Sequence, residues 1–174
     1  MQYHEPEEIM WQGKFVTAKR KGKWEYVSRS RGIKAAVILA VEDGHVLLVE
    51  QYRVPLGKNC IELPAGLIGD HGEDEDPLEA AGRELEEETG YRAAKLESLG
   101  QYYSSPGMVS ESFTLVGASG LTKVSGGGGV EGEGIMPHRV AVAALSDFIT
   151  AKRAEGCGID VRLLMLLGFV TGPA

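Results

Sequence analysis

Apolar residues in this chain fall into short runs bounded by turn residues, interrupted once by an amphipathic stretch of helical period. Over residues 13–30, Phe15, Val16, Trp24, Tyr26 and Val27 flank the turn-prone Lys21-Gly22, which predicts an early antiparallel pair. Residues 33–41 and 45–51 are apolar runs separated by Glu42-Asp43-Gly44, so they read as a buried hairpin. Cys60-Ile61-Glu62-Leu63 reads as a short strand stopped by Pro64 and Gly66. Between Asp76 and Thr89 the period changes: Leu78, Ala81 and Leu85 share one side of a helix, while Glu84, Glu87 and Glu88 project elsewhere. Asp76 can cap this helix, Pro77 suits its first position, Glu79 completes a capping-box pattern and Gly90 stops it. Strand patterns recur at 96–103, 112–118 and 140–145, followed by Ser146 as the cap of a helix to about Ala154 and a further helical segment after Asp160. Residues 125–134, with four consecutive glycines plus Glu131 and Glu133, predict a mobile acidic loop. The order predicts an α/β fold in which helices sandwich a mixed β-sheet, with an N-terminal antiparallel β arm.

The length of 174 residues favours one domain, divided here into an arm at 1–30 and a main domain at 31–170. With 43% hydrophobic residues the chain can bury a core without staples. Two cysteines, Cys60 and Cys157, are too few for a disulfide framework and lack close metal-ligand spacing, so a reducing, cytoplasmic setting is expected. The opening residues Met1 to Pro6 show no basic segment followed by an apolar run, and no stretch approaches the roughly 18 apolar residues of a membrane span. A net charge of −7 disfavours broad nucleic-acid binding; a phosphate-bearing ligand would need local cations or a bound metal. His4, His45, His71 and His138 are scattered and form no ligand set.

Glu84, Glu87 and Glu88 lie within about one helical turn, where three ionised carboxylates repel unless they are exposed or neutralised. A solvated helix face would satisfy them, and so would a divalent cation. Oxygen ligands without a cysteine or histidine cluster favour Mg2+, with Mn2+ as the alternative, over zinc. The wider pattern decides between these readings: Gly69, five residues, Glu75, seven residues, then Arg83-Glu84-Leu85-Glu86-Glu87-Glu88-Thr89-Gly90-Tyr91. It resembles the Nudix box of the Nudix hydrolase family, and average residue usage would produce its fixed positions by chance less than about once in 10^8 starting points. Gly66, after Pro64-Ala65, lies eight residues before Glu75, which reads as a three-residue expansion within 67–72. The resemblance implies a loop-helix-loop metal site that cleaves a nucleoside diphosphate linked to another group. It implies Glu84 and Glu88 as metal ligands, Glu87 assisting a further ion or its waters, the Ala65 carbonyl as a backbone ligand, and Arg83 orienting the glutamates.

Pro106, sixteen residues after Gly90 within Ser104-Ser105-Pro106-Gly107, resembles the ADP-ribose pyrophosphatase branch of that family. In that branch Glu111 is similar to the loop glutamate that positions or deprotonates the attacking water. Trp24 is similar to the base-stacking tryptophan, and Arg29 and Arg53 match positions that contact substrate or its phosphates. A core position for Trp24 and surface salt bridges for the arginines are the plainer readings of those residues alone. The resemblance further implies a homodimer in which N-terminal strands are exchanged. The expected reaction is magnesium-dependent hydrolysis of ADP-ribose or a related nucleoside diphosphate sugar to a nucleoside monophosphate and a sugar phosphate. GDP-mannose, another nucleotide, a capped RNA end, or nucleotide sensing without turnover are the alternatives.

Overall fold

The computed structural model describes residues 5–30, 34–69 and 75–166. The strand start at Ile33, residues 70–72 of the loop expansion expected within 67–72, His4, His71 and the domain end at 167–170 lie outside the described residues.

Three antiparallel strands, β1 (Glu7–Gln12), β2 (Val16–Lys21) and β3 (Trp24–Arg29), form a separate sheet in that order. The second and third are the expected pair about Lys21-Gly22. The first was not legible, because Glu7, Glu8 and Gln12 give it a polar pattern and every residue in it is exposed. This sheet docks through β3: the Val27 amide donates to the Met108 carbonyl at 2.9 Å, and the Ser110 amide donates to the Val27 carbonyl at 3.0 Å.

The larger sheet contains β4 (Lys34–Glu42), β5 (His45–Arg53), β6 (Lys58–Glu62), β7 (Ala65–Ile68), β8 (Tyr91–Tyr103), β9 (Ser112–Lys123), β10 (Met136–Ala141) and β11 (Gly158–Ile159). Its main path is β11-β6-β5-β4-β9-β8, with β7 on β4 and β10 on β5. The expected β4–β5 hairpin exists only at its turn, where Val41 pairs with Val46 and Glu42 with His45. Beyond that point β4 pairs with β9 in parallel and with β7, while β5 pairs with β6 and β10. Both strands are apolar on both faces, so each can serve as a central strand of its own half.

Alternation along β4 feeds two cores. Ala36, Ile38 and Ala40 pack with Ala81 and Leu85 of α1 (Pro77–Thr89), whereas Val37 packs with Leu48, Ile61 and Leu63 on the other side. The second core is closed by Leu145 of α2 (Leu145–Ala154) and by Leu163 and Leu166 of the 3-10 helix Val161–Leu166. The Leu78 amide donates to the Asp76 carboxylate at 2.7 Å, and Gly90 closes α1 at φ 76°.

Local departures have local causes. β6 ends at Glu62, before Pro64 as expected, but Gly66 stops nothing: a new strand, β7, starts at Ala65 and pairs with β4. The run at 140–145 is divided, because Val140 remains in β10 opposite Val46 while a 3-10 turn, Val142–Ala144, leads into α2. Ser146 is therefore inside α2, and its carbonyl accepts the Thr150 hydroxyl at 2.9 Å. The glycine loop at 125–134 is tied down: the Gly128 and Gly129 amides donate to the Glu88 and Glu87 carbonyls, each at 2.9 Å. These are free carbonyls in the last turn of α1, which need outside donors.

Candidate active site

Where β4 and β5 diverge, a cavity of about 620 Å³ opens between the two halves of the large sheet. Its wall includes Ala35 at the start of β4, Gln51 and Arg53 at the end of β5, and Ala65 and Gly66 of β7. The inner face of α1 contributes Glu84 and Glu88, and the loop before β9 contributes Glu111. The helical period explains the first two: residues four apart lie above one another, so one helix face presents both to the cavity.

Glu88 is 5% exposed, and its Oε2 accepts the Ala65 amide at 3.0 Å. Burial, reinforced by the charges of Glu84 and Glu133 and opposed by that amide and Arg53, pushes the Glu88 carboxyl up to about 8. Burial also raises Glu84, despite an Arg83 guanidinium 2.8 Å from its Oε1. Gly66 packs directly on Glu84, where a Cβ would overlap the carboxylate.

Arg83 lies under the glutamates. Its Nη1 donates to Glu84 at 2.8 Å and to Glu87 at 3.3 Å, and its Nη2 reaches Glu75 at 3.4 Å. Glu75 in turn accepts the Gly69 amide at 2.8 Å, which links Gly69 of the box to its arginine. Glu87 is separated from the other two: it lines an adjacent depression with Arg83, Ser125, Gly127 and Gly129. Arg29 and Glu111 both reach the cavity and are ion-paired with each other. Arg53 also reaches it, with Nε and Nη2 on the two oxygens of Glu62 at 2.7 and 2.8 Å. Trp24 does not reach it; it is 61% exposed at the end of the N-terminal sheet, which excludes a core position within this chain.

Three contributors escaped sequence reasoning. Glu133 enters the cavity from the glycine loop, its Oε2 accepting the Val130 amide at 2.9 Å. Arg162, from the 3-10 helix, and Phe113, from β9, complete the wall. Glu133 was visible only as one of two acids, with Glu131, in the glycine loop, and no local pattern marked Arg162. Cys60 also lines the cavity, but burial and the nearby Glu62 charge push its thiol up to about 12, so it is no nucleophile.

Among the described residues, six carboxylates on this wall face three guanidiniums. The arginines are each engaged by an acid, Arg29 by Glu111, Arg53 by Glu62 and Arg162 by Asp160. Glu84, Glu88 and Glu133 are paired with none of these three arginines; Glu84 is bound to Arg83 behind it, and Glu88 takes the Ala65 amide. No three Asp, Glu, His or Cys side chains among the described residues are already gathered as a metal-ligand set. Magnesium does not require one: it retains waters, uses one or two carboxylates and takes further oxygens from substrate phosphates. Buried Glu88 and partly buried Glu84, which repel each other, fit such an ion.

The family model of the NUDIX domain matches residues 30–141. An uncharacterised Nudix hydrolase of Schizosaccharomyces pombe is 34% identical over 171 residues, spanning 89% of this chain and 79% of that protein. An ADP-ribose pyrophosphatase of Bacillus subtilis is 42% identical over 76 residues, 44% of this chain and 40% of that protein. The chain spans half or less of the length of two of the curated relatives it matches. A solved structure of an ADP compounds hydrolase shares the fold, with a TM-score of 0.68 at 24% identity, covering 93% of this chain and 89% of that one. The box on α1, the cavity it faces, and a domain match spanning most of the chain agree: this protein belongs to the Nudix hydrolase family.

Proposed function

We propose that the protein hydrolyses the pyrophosphate bond of ADP-ribose or a related nucleoside diphosphate sugar, consuming one water and releasing a nucleoside monophosphate and a sugar phosphate. The observation that carries this reading is the surplus of carboxylates in a cavity that also holds three arginines. Such a wall repels a free diphosphate and suits one that arrives with a divalent cation. The similarity to an ADP-ribose pyrophosphatase supports the substrate class.

Glu84 and Glu88, with the Ala65 carbonyl, would hold Mg2+ or Mn2+. The ion, when bound, neutralises phosphate charge and lowers the pKa of coordinated water. Arg83 keeps the Glu84 carboxylate aimed through its 2.8 Å bond. Glu87, on the far side of Arg83, serves by fixing that guanidinium and orienting waters. Arg29 and Arg53 present guanidinium donors suited to phosphate oxygens. The water's proton goes to a cavity carboxylate. We assign this to Glu111, which the loop before β9 carries to the cavity and which Arg29 releases when it takes a phosphate oxygen, with Glu87 as the alternative. Glu133, on the same wall, serves to orient the water.

The arm at 1–30 and the catalytic domain at 31–170 are proposed to act as a homodimer. The exposure of Ile9, Trp11, Phe15 and Trp24, each 59–63% exposed, supports an apolar contact with a second copy that would bring Trp24 to a nucleobase. Two free cysteines favour a reducing compartment, proposed to be the cytoplasm; among the described residues no helix is long and apolar enough to cross a membrane. The test is a panel of ADP-ribose, GDP-mannose, other nucleotide sugars and capped RNA, assayed with magnesium and product identification. Hydrolysis of ADP-ribose or a related nucleoside diphosphate sugar to a nucleoside monophosphate and a sugar phosphate supports the reading; preference for capped RNA, or tight binding without turnover, overturns it.

A further inference from the structure

Arg162 follows β11, two strands away from Arg53 in the β11-β6-β5 order. Its position is built with care. Leu163 and Leu166 on the same 3-10 helix are buried in the core, and the Arg162 amide donates to Asp160 Oδ1 at 2.7 Å. Its Nε and Nη2 donate to the two Asp160 oxygens at 2.8 and 2.7 Å, and Nη2 also reaches Glu62 Oε2 at 3.2 Å. The guanidinium carbon stands 5.8 Å from the Phe113 ring centre.

Glu62, 3% exposed, therefore joins two arginines, accepting Arg53 on one side and Arg162 on the other. Both guanidiniums spend Nε and Nη2 on carboxylates and make no hydrogen bond through Nη1 among the described residues. Neither Nη1 is a buried group without a partner, and both residues line the 620 Å³ cavity. Glu88 is bound to Ala65 of β7 beside β4, Arg53 ends β5 and Arg162 follows β11, so the order along the wall runs from Glu88 to Arg53 to Arg162. Arg162 is one step farther from the carboxylates assigned to metal.

We propose that Arg162 is a substrate-binding residue that, with Arg53, takes the phosphate of a nucleoside diphosphate lying farther from Glu84 and Glu88. Asp160 and Glu62 hold the planar fork in place before substrate arrives, so little side-chain freedom is lost on binding. The arrangement makes two phosphates in series the recognised feature, one at the carboxylates and one at the arginine pair.

This rests on the pyrophosphatase reading, and the experiment separates the two. Wild-type protein is first assayed with magnesium on ADP-ribose and the other nucleotide sugars of the panel; no turnover on any of them defeats that reading and the Arg162 proposal with it. With wild-type turnover in hand, Arg162→Gln is expected to raise KM about tenfold or more while kcat stays within about threefold. The inhibition constant of inorganic phosphate should rise with it, a change that a merely structural residue would not cause. Unchanged KM and unchanged phosphate inhibition in folded Arg162→Gln overturn the proposal. If that variant fails to fold, Arg162→Lys is read instead: a KM raised at least threefold supports the proposal, and a wild-type KM overturns it.

Discussion

Glu88 sits in the wall of the cavity with its carboxyl pushed up to about 8, so without a cation, folding at neutral pH must hold it protonated or leave a buried charge. Because its folded value lies above the ordinary carboxylate range, its contribution to stability is fully present below about pH 4.5 and is lost as pH rises through about 8. In magnesium-free buffer, Glu88→Gln should therefore flatten the decline of Tm between about pH 4.5 and 8 and raise Tm near pH 8 by several degrees. A melting profile parallel to the wild type would show that the carboxyl titrates normally. The same variant with magnesium should lose at least about 100-fold in kcat, since it removes charge that acts only when the ion and substrate are in place. These glutamates were legible because one helix period sets their direction. Glu133 and Arg162 were not, because a loop and a 3-10 helix from the far end of the chain carry them to the same cavity.

α1 depends on its neighbours to aim its side chains. The glycine loop returns over its C-terminus, where Gly127 has φ 68° and a Cβ would lie 2.5 Å from the Thr89 carbonyl carbon. Gly127→Ala is expected to destabilise the protein by about 2 kcal/mol in chemical denaturation and to lower kcat, since the loop also delivers Glu133. Stability and kcat both at the wild-type level would detach the loop from the site. Glycine content made these residues look mobile; the carbonyl acceptors that fix them belong to a helix end some forty residues earlier, a pairing no local composition reports. The hairpin at Glu42-Asp43-Gly44 shows the same limit. Its turn was correctly read, yet β4 and β5 part after two residue pairs because each has another strand to join. That parting creates the cavity, so the feature most important for function was the least visible in the apolar pattern.

Across the molecule, Glu50 ties four elements together. It is 4% exposed on β5, accepts Asn59 of β6 at 2.8 Å, and pairs with Lys152 of α2 at 3.0 Å and His138 of β10 at 3.1 Å. Burial alone would raise its carboxyl, but the bonds from Asn59, Lys152 and His138 hold it down at about 2. Its stabilisation is present above about pH 4.5 and is lost as pH falls toward 2. Glu50→Gln should cost about 2 kcal/mol at pH 7, with the gap to wild type closing on acidification; a constant gap would assign the loss to packing. The mixed sheet between helices was legible from strand and helix periods, whereas Glu50 lay hidden as one polar letter in an apolar run. Association through the N-terminal sheet should give a dimer by light scattering at micromolar concentration, and a monomer there would refute it. The central claim is that Glu84 and Glu88 hold a divalent cation against the substrate's diphosphate. Its most direct test is a magnesium titration of ADP-ribose hydrolysis by the wild type and by the Glu84→Gln/Glu88→Gln double variant. Saturable magnesium dependence yielding AMP and ribose 5-phosphate, abolished in the folded double variant, is the predicted result; turnover indifferent to magnesium or to both substitutions would contradict it.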